Sequence, residues 1–337
     1  MLNLGIIGTN WITHEFVGAA TTSGEYQLSA VYSRNEDKAK EFASKYPNAK
    51  SVIASTDLVE FFHLEEIDVI YIASPNSLHY EQAKGAIEAG KHVIVEKPAV
   101  SRLEELEELI DLAEEKEVFY FEAARHIHEE NFERVAVMLK NREDILGANL
   151  NFMKYSSRYD AVLRGEEPNI FSPKFSGGAL MDLGVYLVYT AISWFGKPKE
   201  SFYFNQKLPT GVDGLGTMIF RYDGFDVTMM TGKNADSYLP SEIYLSDSTI
   251  CLDAINSIQE IKVKKREDKE LIELSYGEAN SENPMIEEAI AFSEVINQPM
   301  SVKQQKRYQD WIQLAKEVHC VMESLRKQTG IVFDADK

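Results

Sequence analysis

Apolar positions fall in two rhythms along the chain. Over the first third, short unbroken apolar runs alternate with stretches of helical period. Residues 2–8 (LNLGIIG) run apolar into a glycine, and residues 10–22 continue as a helix. A second strand spans 27–33 (QLSAVYS), followed by a helix over 35–46 with Asn35 as its N-cap. Residues 68–73 (DVIYIA) read as a buried strand, 79–89 as a helix closed by Gly90, and 92–96 (HVIVE) as the next strand. An acidic helix over 103–116 and an apolar strand over 118–124 complete the series. Strands apolar on both faces, spaced by helices, predict a doubly wound parallel α/β sheet.

Beyond that point the period changes to two. Residues 147–156, 200–206, 215–222, 225–232, 241–246 and 260–265 alternate apolar and polar positions, separated by turn signals such as Asp223-Gly224. This predicts an α+β domain with a large, mostly antiparallel open sheet covered on one face. Helices are expected at 130–140, 179–195, 284–297 and about 309–327. The boundary is placed so that 1–121 form a nucleotide-binding domain and 122–337 a substrate-binding and oligomerisation domain. No repeat or low-complexity linker interrupts either half.

Composition narrows the class. With 44% hydrophobic and 26% charged residues the chain is an ordinary globular one. No run is expected to be long and apolar enough to cross a bilayer, and the N-terminus lacks a basic leader, so a cytoplasmic protein is expected. The formal charge of −19 argues against nucleic acid as a partner. Cys251 and Cys320 stand in unrelated contexts, without disulfide or zinc spacing, and no metal is expected.

The first strand–helix turn carries the first candidate chemistry. A Rossmann fingerprint GxGxxG laid on this turn falls on Gly8, Asn10 and Thr13, so only one glycine is kept. Asn tolerates left-handed backbone, which would let the turn survive, and Gly8, Thr9, Asn10 and the amides of Trp11 and Ile12 are expected around a pyrophosphate. At the end of the second strand, where an acidic residue roughly twenty positions on would bind ribose hydroxyls, the chain has Ser33-Arg34, with Lys38 one turn further. These suit a 2′-phosphate and predict NADP(H) rather than NAD(H). The competing reading is a solvated basic residue opening a helix.

Together, GIIGTNWI, AVYSRNEDKAKEFASKY, IDVIYIASPNSLHYEQAKGAIEAGKHVIVEKPA and GGALMDLGVY resemble the glucose-fructose oxidoreductase, inositol dehydrogenase and MocA (Gfo/Idh/MocA) family. The branch containing dimeric dihydrodiol dehydrogenase and NADP-dependent D-xylose dehydrogenase is the most similar, because Tyr186 stands where many branches have histidine. The resemblance implies that Ser74, Pro75, Asn76 and His79 line the nicotinamide side of the cofactor site, that Glu96 and Lys97 border it, and that the outer sheet face joins subunits into a homodimer or homotetramer. Two departures stand out: Asn10 for the usual second glycine, and a stretch after Ala124 lacking the branch's aromatic residue and proline.

Lys97 follows a buried strand and precedes proline, which favours an extended backbone aimed out of the carboxyl end of the sheet. There it can give a proton to a carbonyl oxygen or take one from an alcohol. Alone, a Glu-Lys-Pro triplet reads as a surface charge pair; strand-end position and resemblance reverse that. Asp182 and Tyr186, four apart on an expected helix, share a face and can address one hydroxyl. In the polar loop 155–178, Tyr159, Arg164 and Asn169 are candidates for holding a polyol, and Arg125 and His126 are carried over by analogy. The function expected is hydride transfer between NADP(H) and a sugar-like or vicinal-diol substrate. A non-catalytic NADP-binding regulator and a redox-assisted glycoside hydrolase are the alternatives.

Overall fold

A computed structural model of the chain describes residues 1–46, 48–267, 270–276 and 282–337. It divides into two compact units: Met1–Arg125 with Asn283–Gln313, and His126–Glu282 with Leu314–Lys337.

In the first unit, β1 (Leu2–Ile7), β2 (Tyr26–Tyr32), β3 (Ile53–Ser55), β4 (Val69–Ile72), β5 (His92–Glu96) and β6 (Tyr120–Ala123) form a six-stranded sheet in the order β3-β2-β1-β4-β5-β6. Every pairing is parallel. The order reverses between β1 and β4, which puts a ligand crevice beyond the carboxyl ends of those strands. Helices α1 (Trp11–Thr22), α2 (Glu36–Ala43), α3 (Leu58–Phe62), α4 (His79–Glu88) and α5 (Leu103–Glu115) make the crossovers. Asn35 caps α2 by accepting the Lys38 amide, as its position predicts. The short β3 and α3 went unread because three and five residues are too few to show a period.

The single boundary at 121/122 needs correction. Helix α6 (Glu130–Leu139) and all that follows to 282 belong to the second unit, but residues 283–313 return to the first. They bring Met285, Ala289, Phe292, Val295 and Ile296 into the core that β1, β2, α1 and α2 leave open. Phe292 stacks on Phe121 of β6 at 4.5 Å, and the Tyr26 hydroxyl donates to the Ala289 carbonyl at 2.9 Å. A return stroke of this kind has no local signal, since its helix looks amphipathic wherever it packs.

The second unit is an eight-stranded sheet. Its strands are β7 (Ile145–Met153), β8 (Glu200–Lys207), β9 (Asp213–Arg221), β10 (Asp226–Gly232), β11 (Ser241–Leu245), β12 (Ser248–Leu252), β13 (Ile261–Glu267) and β14 (Glu270–Tyr276). The order is β14-β13-β12-β11-β7-β10-β9-β8, antiparallel except where β7 and β10 run parallel. Its inner face carries Leu150, Met218, Phe220, Val227, Met229 and Ile243, all fully enclosed. The short α7 (Tyr159–Leu163) precedes a long apolar stretch ending in α8 (Val185–Phe195), which covers that face. By length and composition residues 173–195 are long and apolar enough to span a bilayer, contrary to the composition-based expectation, and 89% of their most apolar 18-residue window is buried in the fold. Sheet packing on one flank and other helices on the other demand an all-apolar helix. Two further helices, α9 (Ile286–Asn297) and α10 (Val302–Gln328), complete the helical elements of eight residues or more among the described residues.

Because Phe292 seals the parallel sheet's core, Phe292→Ala is expected to cost about 3–5 kcal/mol. Hydrogen exchange at the amides of β6 should accelerate with it; unchanged protection there would show that residues 283–313 are not part of the first unit's core.

Candidate active site

The phosphate turn differs from its expected form in an informative way. Gly8 has φ +104°, and a Cβ there would lie 2.7 Å from the Ala73 carbonyl oxygen, so glycine is required. Asn10 is not left-handed: with φ −87° and ψ −179° it is extended, a conformation open to any residue. Its side chain instead caps α1, Oδ1 accepting from the amides of Ile12 (3.0 Å) and Thr13 (3.3 Å), while Nδ2 donates to Ala73 O at 2.8 Å. Asn10 therefore ties the turn to the end of β4. The Ile12 amide, expected to face a pyrophosphate, is already engaged; the backbone of Gly8, Thr9 and Trp11 is left for that task. Trp11 itself stands 73% exposed at the helix head.

At the end of β2, Ser33 is half-buried and anchored through its amide to Ser55 O at 3.1 Å. Arg34 and Lys38 are exposed, and among the described residues no carboxylate forms an ion pair with either. The nearby Glu36 is taken by Lys40 at 2.6 Å. Two cations that form no ion pair among the described residues, close in the chain to a serine hydroxyl, are of the kind that can bind a phosphate.

At the carboxyl ends of β4 and β5 lies a tighter cluster. His79 is 1% exposed, its Nε2 2.8 Å from Ser74 O and its Nδ1 3.0 Å from Pro98 O. It thus braces the Ser74–Asn76 turn against the Glu96-Lys97-Pro98 turn from inside rather than facing a cofactor. Burial pushes its pKa down, outweighing the two carbonyls and Glu122, so the neutral ring donates to one of these carbonyls and packs against the other. The Ser74 hydroxyl donates to Gln82 at 2.7 Å. Glu96 is buried, and Tyr71 donates to its Oε1 at 2.5 Å. Burial raises the Glu96 pKa, opposed by the charges of Lys97 and Arg125. Lys97 is half-buried at the sheet's edge. Lys97 and Arg125 thus stand near the same buried carboxyl group.

In the second unit, the helix expected over 179–195 is not uniform: Leu180–Gly184 is a π-turn before α8. Such turns recur at functional sites. The turn starts on Asp213, a carboxylate 1% exposed at the head of β9, whose Oδ2 accepts from the Leu180 amide at 2.6 Å and from the Tyr203 hydroxyl at 2.6 Å. That contact accounts for Gly178, and the backbone of residue 170 accounts for Gly177. A Cβ on Gly178, at φ +118°, would meet Asp213 Oδ1 at 2.2 Å, and one on Gly177 would meet Ile170 O at 2.4 Å. From the π-turn Asp182 pairs with Lys233, the residue just past β10. Tyr186 is 8% exposed, set edge-on to Phe152 at 5.4 Å and tilted against His126 at 4.8 Å. His126 is itself buried, its Nε2 3.2 Å from Tyr186 O, so it supports the helix carrying that tyrosine.

The loop candidates do not gather in one place by their contacts. Tyr159 opens α7 and packs on Tyr155 and Phe171, while Arg164 pairs with Glu166 at 2.8 Å in solvent. Asn169 is exposed, and its backbone carbonyl lies beside Gly177.

Residues 2–124 match the model for an oxidoreductase family with an NAD-binding Rossmann fold, and 143–250 match the GFO/IDH/MocA C-terminal domain. A scyllo-inositol 2-dehydrogenase (NADP(+)) of Bacillus subtilis is 38% identical over 337 residues, the whole of both chains. The chain belongs to the Gfo/Idh/MocA oxidoreductase family. A trans-1,2-dihydrobenzene-1,2-diol dehydrogenase of Xenopus tropicalis is 27% identical over 65% of each chain. Among solved structures, a 3-ketoreductase from Actinomadura kijaniata superposes with a TM-score of 0.82 over 97% of both chains at 18% identity, which bears on the fold alone.

As a Gfo/Idh/MocA oxidoreductase, the protein has four polar residues whose importance the sequence hid: Tyr71, Gln82, Asp213 and Lys233. Asp213 and Lys233 lie at strand ends, a position where a charged residue interrupting an apolar alternation is a signal. The other two have no signal short of the fold.

Two outcomes follow from these contacts. If Asn10 acts as clamp rather than as a faulty glycine, Asn10→Gly loses about 1 kcal/mol of stability in urea unfolding and does not tighten NADPH binding. His79 has a folded pKa below the unfolded value near 6.5. Its contribution to stability is complete above that pH and is lost as pH falls below it. Thermal midpoints should drop on acidification from pH 7, and more shallowly in His79→Asn.

Proposed function

We propose that this protein is an NADP(H)-dependent dehydrogenase of a polyol, sugar or vicinal diol, exchanging a hydride with the carbonyl or secondary alcohol carbon. The observation that carries the reading is Lys97, half-buried at the carboxyl edge of a parallel sheet beside a braced turn. The cradle fits the cofactor: at Gly8 backbone approach is close enough to exclude any Cβ. Gly8, Thr9 and Trp11 would hold the pyrophosphate, Ser33, Arg34 and Lys38 the 2′-phosphate, and Ser74, Pro75 and Asn76 the nicotinamide side. NADP(H), when bound, supplies or accepts the hydride.

The remaining work falls to side chains. Lys97 donates a proton to the substrate oxygen during reduction and takes it back during oxidation. Asp182 orients a substrate hydroxyl as acceptor, and Tyr186 contributes a phenol donor. The scyllo-inositol enzyme, alike over its full length, supports a cyclic polyol as the first substrate to try. We place the protein in the cytoplasm as a homo-oligomer joined through the outer sheet face, where Phe202 and Phe204 stand 37% and 64% exposed.

The test is a panel of scyllo-inositol, D-xylose and trans-1,2-dihydrobenzene-1,2-diol followed by NADPH absorbance. Lys97→Met is expected to lower turnover about 10²–10⁴-fold. Arg34→Ala should weaken NADPH and leave NADH unchanged. Full turnover in Lys97→Met refutes the mechanism; tight NADPH binding without any turnover on the panel points to a regulator, and sugar release without net NADPH change to glycoside hydrolysis.

A further inference from the structure

Lys233 lies outside every motif the sequence displays, yet it holds the carboxylate proposed to touch substrate. It is only 6% exposed, one residue beyond the end of β10, with its ammonium on Asp182 Oδ2. Its backbone is pinned from two sides: its amide donates to Gly214 O at 2.8 Å, and its carbonyl accepts from Ser156 N at 2.8 Å. Next to it, Thr231 donates to Ala179 O at 3.4 Å, so the end of β10 is fastened to the turn that carries Asp182.

Within the pair the lysine is the deeper partner: its side chain is 8% exposed against 21% for Asp182. Burying an ammonium is costly, and a buried ion pair gives the fold little that two well-packed apolar side chains would not give. What an apolar pair cannot supply is a carboxylate held ionised and fixed in direction. We propose that Lys233 is a positioning residue that keeps Asp182 charged and aimed for a substrate hydroxyl. This rests on the hydride-transfer reading of the same site.

The experiment compares Lys233→Met, Lys233→Arg, Asp182→Asn and the double variant Asp182→Asn/Lys233→Met, using the panel substrate that the wild type turns over, scyllo-inositol first. Each is measured for kcat, KM, NADPH Kd by fluorescence titration, and thermal midpoint. Lys233→Met should lose about tenfold or more in kcat/KM, with NADPH Kd within about twofold of wild type. Lys233→Arg, which keeps the ion pair, should recover part of the loss. The double variant should be no slower than Asp182→Asn, because the lysine acts only through the aspartate.

Wild-type kcat/KM in Lys233→Met overturns the proposal, as does a double variant whose loss is the product of the two single losses. Should Lys233→Met fail to fold, the double variant, which leaves no buried charge unpaired, carries the comparison alone. Absence of NADPH-linked turnover by the wild type on the whole panel brings down the hydride-transfer reading, and full turnover in Lys97→Met or Asp182→Asn brings down the role given to that residue within it. Loss in those two with none in Lys233→Met brings down only the role of Lys233.

Discussion

A carboxyl group buried at the head of a strand sets the local structure of the second unit around residues 178–186. Asp213 cannot stay ionised in the core without donors, and burial does raise its pKa, against the pull of the Tyr203 hydroxyl and of backbone amides at Leu180 and Ala179. Those amides are orphans of a helix start, which need an acceptor of their own. Each deficit satisfies the other, and everything downstream follows. The amides approach so closely that residue 178 must be glycine, the chain enters its helix through a π-turn, and Asp182 emerges where Lys233 can meet it.

The first unit solves a similar problem with a neutral group. Ala73 O, at the end of β4, admits no Cβ on Gly8 and accepts from the Asn10 side chain. Asn10 in turn satisfies two amides at the head of α1. A turn that has lost two of the fingerprint's glycines keeps its shape because a side chain takes over the hydrogen bonding, and the one glycine left is the one that sterics demand. The same side chain occupies an amide that a pyrophosphate would otherwise use. Rigidity is gained and one potential ligand contact is spent.

These two sites show what a sequence displays and what it conceals. The parallel sheet was legible because β1, β4 and β5 are buried on both faces, and the open sheet because its strands alternate. The place of Lys97 at the carboxyl end of β5 was legible because it follows a buried strand and precedes a proline. The glycine pair at 177 and 178 could be seen but not explained, since Gly178 answers to Asp213, more than thirty residues on, and Gly177 to the fold of the loop that brings the Ile170 carbonyl against it. Asn10 was seen and misread: the residue type fits left-handed backbone, but the side chain's capping chemistry decided its conformation. His79 could be placed on the right turn but not assigned its bracing role, which depends on Pro98, far along the chain. Residues 283–313 had a visible helical period and no visible address.

Lys97 and Lys233 both stand immediately after the last residue of a strand, and the carboxyl groups beside them differ in kind. Glu96 is buried and receives the Tyr71 phenol, and its burial favours the protonated form. Burial works against such a group as a permanent counter-ion, although the charge of Lys97 pulls the other way. Asp182 is partly open to solvent and locked on its lysine. A lysine that must release and regain a proton gains from the first arrangement, and a lysine that must hold a fixed field gains from the second. For the roles proposed for these two lysines, the burial of the carboxyl group next to each is the feature that separates them.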